Sequence, residues 1–283
     1  MSRGGRRRWR RWLVAAVSVF AALHVLGFAY LVTHQAALVY HPVRAVTATP
    51  ADVGLSYEEV RFRAEDGPTL HGFYVRARRR RARGVVLYCH GNAGNVGHRV
   101  RMAKLLAGLG VDVLLFDYRG FGRSEGTPTE AGTYVDAEAA WTYLVEARGV
   151  PPVKILAYGR SLGGPIATSV AARHRPAGLV LDATFESIPA LVRDTWPRFL
   201  VVERFIAFAY DTAGLLDRVT APVLVLHSPE DRTIPFEHGR RLARRAADGA
   251  FAVTAGGHGD GPLRHPEAYR APLAAFFDRV LGP

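Results

Sequence analysis

Apolar and polar positions alternate along this chain in blocks that predict strands and helices in turn. Short apolar runs typical of buried strands are separated by segments with apolar residues at helical spacing. The strand-like runs are 85–88, 111–116, 153–157, 179–181 and 223–226. Helix-like segments include 99–109 and 134–147, each with a glycine near its end. This alternation predicts βαβ units and an α/β fold, in which a mostly parallel central sheet carries helices on both faces.

Two segments depart from the alternation. Residues 57–75 predict an antiparallel hairpin that turns at Glu65-Asp66-Gly67, an addition that suits the edge of such a sheet. Residues 186–218 form an aromatic-rich stretch without regular alternation. We interpret this stretch either as a cap with an apolar wall facing a substrate or as a helical excursion that packs on the core.

The N-terminal segment predicts one transmembrane helix. Residues 12–33 contain no Asp, Glu, Lys or Arg, and about 20 apolar residues suffice to cross a bilayer. The run is longer than a signal-peptide core and no convincing cleavage site follows it, so we favour a retained anchor over a cleaved signal peptide.

The charges around this span predict its orientation. Six arginines lie in the first eleven residues, and basic residues beside a span usually stay in the cytoplasm. We therefore expect a single-pass membrane protein with a basic cytoplasmic tail over 1–11, an anchor over 12–33 and a folded domain over 34–283 on the outer, extracytoplasmic side. Residues 186–218 are the possible cap of that domain.

The formal net charge of +12 is accounted for by two arginine clusters. Besides the six N-terminal arginines, six more lie within residues 76–83, so the rest of the chain is close to neutral. No nucleic-acid-binding module is recognisable, and the sequence therefore argues against nucleic acid as a partner. The second cluster falls between predicted strands, where we expect a solvated loop, with contact to a membrane surface as the alternative.

Cys89 is the single cysteine of the chain. It excludes an internal disulfide and a cysteine-based metal site. Because Cys89 ends an apolar run, we expect it to be a buried, inert thiol. The lack of disulfides is compatible with an exported domain.

Residues 154–164, with the sequence KILAYGRSLGG, predict a sharp turn from a buried strand into a helix, with Ser161 at the turn. Gly159 and Gly163 let the strand and the helix approach each other while the serine adopts a strained conformation. This is the pattern of a nucleophile elbow. A glycine-rich chain also produces it by chance, so the prediction depends on a base, an acid and oxyanion donors elsewhere in the sequence.

Candidate partners for Ser161 follow later strand-like runs. Asp231 comes after the 223–226 run, and His258 lies between glycines after an apolar run at 250–253. Functional groups gather at the carboxyl ends of the strands in open α/β sheets. We therefore predict that His258 is the base and Asp231 the acid that orients it. Weaker alternatives for the acid are Glu230, Asp182 and Asp260.

Two backbone N–H groups are predicted to stabilise the developing oxyanion. Leu162 follows the nucleophile directly, and Asn92 lies in the glycine-containing loop after the 85–88 run. An ordinary tight turn is the alternative for that loop. The resulting mechanism requires no metal and no organic cofactor.

The motifs together resemble those of a known family. The chain carries LVYHP at 38–42, HGNAGN at 90–95, DYRGFGRSEG at 117–126, GRSLGG at 159–164 and PEDRTIP at 229–235. With the N-terminal span, this set resembles the membrane-anchored α/β-hydrolase-domain group of serine hydrolases, which includes mammalian lysophospholipid lipases and depalmitoylating thioesterases. The resemblance covers about 41–281 and implies an α/β-hydrolase domain that acts on lipid-like esters or thioesters.

From the sequence we therefore expect a serine hydrolase with a Ser161-His258-Asp231 triad, anchored in a membrane by its N-terminal helix. A serine peptidase of the aminopeptidase-like branch is the first alternative, because it shares the fold and the triad. A non-catalytic envelope scaffold is the second alternative, and a missing triad member would have favoured it.

Overall fold

The computed structural model describes residues 3–79, 81–196 and 205–282. The helices, numbered in chain order, are α1 (Arg3–Thr33), α2 (Gln35–Val39), α3 (Val100–Gly108), α4 (Glu130–Thr142), α5 (Gly163–Arg173), α6 (Ile188–Thr195), α7 (Thr212–Leu216), α8 (Phe236–Arg245), α9 (Gly261–Arg264) and α10 (Pro266–Leu281). The strands are β1 (His41–Pro42), β2 (Tyr57–Arg63), β3 (Thr69–Val75), β4 (Val85–Cys89), β5 (Ala93–Gly94), β6 (Asp112–Phe116), β7 (Ile155–Arg160), β8 (Gly178–Asp182), β9 (Val223–His227) and β10 (Gly249–Val253).

Within the described residues, eight strands form one sheet in the order β10-β9-β8-β7-β4-β6-β3-β2. Strands β2 and β3 form the predicted antiparallel hairpin, and β3 also pairs antiparallel with β6. The other neighbours are parallel. The predicted α/β fold with a mostly parallel sheet is thus confirmed.

The sheet lies between two apolar cores because its central strands are buried on both faces. In β4, Leu87 and Cys89 face one core, while Val86 and Tyr88 face the other. Helices α4, α5 and α8 contribute to the first core, and α3 and α10 contribute to the second. Strands covered on both faces read as continuous apolar runs, which is why the sequence revealed them.

Some element boundaries differ from those predicted. The run at 153–157 begins as a strand only at Ile155, because Pro152–Lys154 forms a 3-10 turn. The helix predicted over 134–147 begins at Glu130, where Thr129 Oγ1 accepts a hydrogen bond from the N–H of Gly132 at 3.0 Å. This helix leaves α geometry after Thr142 and continues as one π-helical turn. The sequence pattern missed the cap residue.

A short parallel pair between β1 and β5 was not predicted from the sequence. His41 pairs with Ala93 and Pro42 with Gly94, which joins the chain after the N-terminal helices to the loop after β4. Two-residue strands carry no periodic signal, so the pattern could not reveal them.

The arginine-rich loop at 76–83 connects β3 and β4, as expected, but it is not uniformly solvated. Arg83 is largely buried, forms an ion pair with Asp278 and donates to the carbonyl oxygens of Leu109 (2.8 Å) and Gly282 (3.0 Å). The prediction of a solvated loop is therefore wrong for this arginine. Residue 80 lies outside the described residues.

Helix α1 contains the predicted span. Its segment Arg8–Thr33 is long and apolar enough to cross a membrane, and the fold leaves this segment unburied. The described part of the basic tail continues the same helix. Of the possible cap at 186–218, α6 and α7 are described, whereas residues 197–204 lie outside the described residues.

Candidate active site

Ser161 lies at the turn between β7 and α5, in the left-handed region of backbone conformation with φ of 53°. This conformation costs a non-glycine residue about 1–3 kcal/mol. Neighbouring groups hold it in place, because the Ser161 N–H donates to the carbonyl oxygen of Asp182 at 2.9 Å and Thr184 Oγ1 donates to the Ser161 carbonyl oxygen at 2.7 Å. The turn therefore has the geometry of a nucleophile elbow.

The elbow requires glycine at position 163 because α5 begins directly against β4. A Cβ atom on Gly163 would overlap the backbone carbonyl group of Cys89. Cys89 itself is buried, as expected from the sequence, and burial raises the pKa of its thiol to about 12. The thiol is therefore protonated at physiological pH, which fits an inert packing role.

The structure brings together three residues that the sequence pointed to separately. Ser161 Oγ lies 3.0 Å from Nε2 of His258, and Nδ1 of His258 lies 2.7 Å from Oδ2 of Asp231. Asp231 follows β9 and His258 follows β10, so the three side chains meet at the carboxyl edge of the sheet. This chain of hydrogen bonds can move a proton from the serine to the histidine while the carboxylate orients the ring.

Asp231 is held as an anion. Its Oδ1 accepts the N–H groups of Thr233 (2.8 Å) and Ile234 (2.9 Å), and His227 Nε2 lies 3.5 Å from its Oδ2. Burial raises the pKa of Asp231, but the hydrogen bonds from His227, His258 and the N–H of Ile234, together with the electrostatic attraction of His258, outweigh it, so the pKa lies well below its usual range. The carboxylate can therefore stabilise a positively charged imidazole.

The alternative acids lie elsewhere. Glu230 is exposed, and Asp260 forms an ion pair with Arg264 at 3.2 Å. Asp182 is fully buried and accepts a hydrogen bond from Tyr158 Oη at 2.9 Å.

The loop after β4 passes close to Ser161. A Cβ atom on Gly91 would lie 3.4 Å from Cβ and 3.9 Å from Oγ of the serine. Asn92 is fixed next to it, because its side-chain Nδ2 donates to the carbonyl oxygen of Val39 at 2.9 Å. The described residues contain no hydrogen-bond acceptor for the N–H of Asn92 or Leu162. Both groups are available to a ligand, and their role as oxyanion donors stays a prediction.

Sequence reasoning missed Arg160, although it directly precedes the nucleophile. Its buried guanidinium forms an ion pair with Asp182 and donates to the backbone carbonyl oxygen of His258. The signal was present in the sequence, because an arginine and an aspartate end two otherwise apolar runs. A buried charge needs a partner.

One cluster in the described part of the chain has the side chains for a metal site. Ligand atoms of Glu186, Asp194 and His238 lie within 4.8 Å of one another. The guanidinium of Arg241, however, donates to both Glu186 (2.6 Å) and Asp194 (2.7 Å). The single positive charge of Arg241 is shared between the two carboxylates, and the cluster forms an ion-pair network that ties α6 to α8.

Comparison with known proteins identifies the family. A family model described as the α/β-hydrolase fold matches residues 84–213. An uncharacterised protein of Mycobacterium tuberculosis is 34% identical over 259 residues, which cover 91% of each chain. Bem46 of Schizosaccharomyces pombe is 32% identical over 77% of this chain and 76% of its own length. WAV2 of Arabidopsis thaliana, an α/β-hydrolase domain-containing protein, is 30% identical over 81% of this chain and 80% of its own length.

The chain belongs to the α/β-hydrolase family. Among its members it is similar to the bem46 group, which confirms the resemblance drawn from the sequence motifs. A Pyrococcus furiosus esterase, 21% identical, superposes on this α/β hydrolase with a TM-score of 0.70, covering 86% of this chain and 100% of the esterase. At that identity the likeness shows the fold alone. Membership of the family supports hydrolase activity.

The close approach of α5 to β4 at the elbow predicts that alanine substitution of two glycines at helix ends will have different effects on stability. In this hydrolase, Gly163→Ala should lower the stability by about 1–3 kcal/mol, because the added methyl group overlaps the backbone of β4. Gly108 ends α3, and a Cβ there meets only Arg270 Nη1 at 3.7 Å. Gly108→Ala should therefore leave the stability unchanged or raise it by up to about 1 kcal/mol. Thermal unfolding of both variants checks this, and equal melting temperatures would contradict the packing described at the elbow.

Proposed function

We propose that this protein is a serine hydrolase that cleaves carboxylic esters or thioesters with lipid-like acyl groups, through an acyl-enzyme on Ser161. The observation that carries the proposal is the pair of hydrogen bonds from Ser161 Oγ to His258 (3.0 Å) and from His258 to Asp231 (2.7 Å). The strained backbone at Ser161 supports it, because strain of this kind is concentrated at active sites.

In the proposed mechanism, Nε2 of His258 accepts the proton of Ser161 as Oγ bonds to the carbonyl carbon of the substrate. The carbonyl oxygen becomes negatively charged and accepts hydrogen bonds from the N–H groups of Asn92 and Leu162. His258 then donates the proton to the leaving alcohol or thiol as its bond to the acyl carbon breaks. Water repeats the sequence on the acyl-enzyme, and the carboxylic acid leaves. Asp231 stays ionised throughout and stabilises the positively charged ring.

An apolar groove supports the choice of lipid-like acyl groups. The groove has a volume of about 270 Å³ and lies between the N-terminal helices and α6, with Gln35 as its one polar lining residue among those described. Its apolar lining consists of Phe28, Leu31, Val32, Leu38, Val39, Ile188, Val192, Trp196, Phe205, Ile206 and Phe208. Pockets for small ligands usually measure about 300–1,000 Å³, so this groove lies just below that range, which suits one slender acyl chain better than a bulky ligand.

The groove adjoins the site at the end of α2. The carbonyl oxygen of Val39, which lines the groove, accepts the side chain of Asn92 at 2.9 Å. The backbone of Asn92 in turn accepts the N–H of His41 at 2.9 Å. An acyl chain in the groove would therefore end beside the loop that carries the proposed oxyanion donor. No described lining residue carries a charge, so the groove offers no partner for the charged amino terminus that an aminopeptidase-like enzyme binds, and this favours esters over peptides.

We further propose that α1 is a retained membrane anchor, with the N-terminus in the cytoplasm and the hydrolase domain, 34–283, on the outer side. The span Arg8–Thr33 is unburied in the fold, as a helix that faces lipid would be. The arginines before residue 12 supply the positive charge that the cytoplasmic side retains.

A fluorophosphonate probe tests the proposed nucleophile directly. Wild-type protein should be labelled, and Ser161→Ala should not, because the probe reacts with an activated serine. His258→Ala should be labelled at least about 100-fold more slowly, since no base would then accept the serine proton. Ser169→Ala, which changes a serine within α5 whose hydroxyl donates to the Ile166 carbonyl oxygen, serves as the control and should be labelled like wild type. Equal labelling of wild type and Ser161→Ala would overturn the proposal.

The acyl groove predicts a change in chain-length preference. Val192→Trp fills the groove and should lower kcat/KM for p-nitrophenyl octanoate by at least about 10-fold, while kcat/KM for the acetate ester stays unchanged. The matched control is Val153→Trp, because Val153 is 65% exposed in the 3-10 turn before β7. A parallel loss on both esters, or no loss on either, would contradict the assignment of the groove.

The anchor predicts how the full-length protein behaves in membranes. After extraction with alkaline carbonate it should remain in the membrane pellet, because a spanning helix is not released by removing surface charge. Its mass should be that of the uncleaved chain. Release into the supernatant, or a mass that lacks the first 33 residues, would show a cleaved signal peptide instead.

A further inference from the structure

Arg160 occupies an unusual position for an arginine, at the last residue of a central strand and directly before Ser161. It is 8% exposed, and it ends the six-residue strand β7, all of whose residues are buried. A buried guanidinium is costly unless its charge is paired and its donors are satisfied. Its neighbours therefore indicate what the arginine does.

The charge of Arg160 is neutralised by Asp182, which ends the neighbouring strand β8. The two side chains form an ion pair through Nη1, and Tyr158 donates to the same carboxylate oxygen at 2.9 Å. Burial opposes the charge on Arg160, yet Asp182 together with the nearby tyrosines more than offsets this effect, and the pKa of the guanidinium is raised. Strands β7 and β8 are adjacent and parallel, so the sheet fixes both ends of the pair.

The other terminal nitrogen of the Arg160 guanidinium forms a hydrogen bond with the backbone of the catalytic histidine candidate. Nη2 of Arg160 donates to the backbone carbonyl oxygen of His258, 98 residues later in the chain. Among the described residues, no other group from outside the 256–261 turn forms a hydrogen bond with the backbone of His258. The turn begins at Gly256 with φ of 88°, and within it the N–H of Gly261 donates to the carbonyl oxygen of Gly257 at 3.1 Å. Within the described residues, His258 is thus held through its ring by Asp231 and through its backbone by Arg160.

We propose that Arg160, oriented by Asp182, is a positioning residue that holds the His258 backbone so that Nε2 lies within reach of Ser161. The inference rests on the proposed serine mechanism and adds a residue to it. Arg160 touches no reacting atom. Its guanidinium spans the gap between the rigid sheet and the turn that carries the base, and its planar fork can bond an anion and a carbonyl oxygen at once. A lysine has the charge but lacks this fork.

The test compares Arg160→Gln with Arg119→Gln. Arg119 is also 8% exposed and forms ion pairs with Asp66 (2.7 Å) and Asp136 (2.8 Å), but it has no hydrogen bond to the His258 turn. Both variants lose a buried charge and should lose thermal stability. Arg160→Gln alone should lower kcat for a short ester by about 100-fold with KM unchanged, since a displacement of about 1 Å can cost that much. Labelling of Ser161 by the fluorophosphonate should slow by the same factor.

Two further variants separate positioning from folding. Arg160→Lys keeps the charge and should show an intermediate kcat. Arg160→Ala opens a space beside Asp182, and millimolar guanidinium, too dilute to unfold the protein, should restore part of its kcat. The same concentration of guanidinium should not raise the kcat of Arg119→Ala. If Arg160→Gln does not fold, the lysine variant carries the test, and a wild-type kcat for it would overturn the inference.

Failure of this inference differs from failure of the proposed function. Labelling of wild type at Ser161, with equal kcat in the Arg160→Gln and Arg119→Gln variants, would overturn the positioning role and leave the serine mechanism intact. A loss confined to KM would also overturn it, because a misplaced base lowers the rate of the chemical step. Labelling that persists in Ser161→Ala would overturn the mechanism itself.

Discussion

Helix α5 approaches strand β4 so closely at Gly163 that no larger side chain fits, and this contact fixes where Ser161 lies. The chain must turn within two residues, which forces the serine to a φ of 53°. The cost of about 1–3 kcal/mol is offset locally, because the end of β8 satisfies both the N–H and the carbonyl group of the serine through Asp182 and Thr184. The strain persists because the two apolar cores hold β4, β7 and β8 in register.

The same sheet explains why the polar groups gather at one edge. The interior of β7, β8 and β9 is apolar, so charged residues occur only where the strands end, as at Arg160 and Asp182. Parallel strands end at the same edge, and burial there requires that each charge has a partner. Asp231 meets His258, and Arg160 meets Asp182 and the backbone of His258. Two hydrogen-bond chains thus converge on one histidine, one through its ring and one through its backbone.

The sequence predicted the features that local patterns determine. The elbow at Ser161, the buried strands and the order of Asp231 and His258 can each be read from a few consecutive residues. Other features depend on contacts between distant segments. The bond from Arg160 to His258 and the pairing of His41 with Ala93 join parts of the chain that no periodicity relates. The choice of Asp231 over Glu230 likewise rested on loop pattern, whereas in the fold burial separates the two carboxylates.

The N-terminal helices pack against the folded domain and line the apolar groove. Gln35 donates to the carbonyl oxygen of Phe205 and accepts the N–H of Ala207, both at 2.7 Å, which fixes α2, directly after the proposed anchor, to the segment after α6. Phe28 packs edge-on against Phe205, with ring centroids 4.9 Å apart. One wall of the apolar groove therefore belongs to the helix that would cross the membrane, so an acyl chain could pass from the bilayer into the groove without crossing water. If α1 is the anchor and the groove the acyl site, as proposed, removal of α1 would also remove one wall of the groove, and one packing arrangement would set both membrane attachment and substrate choice.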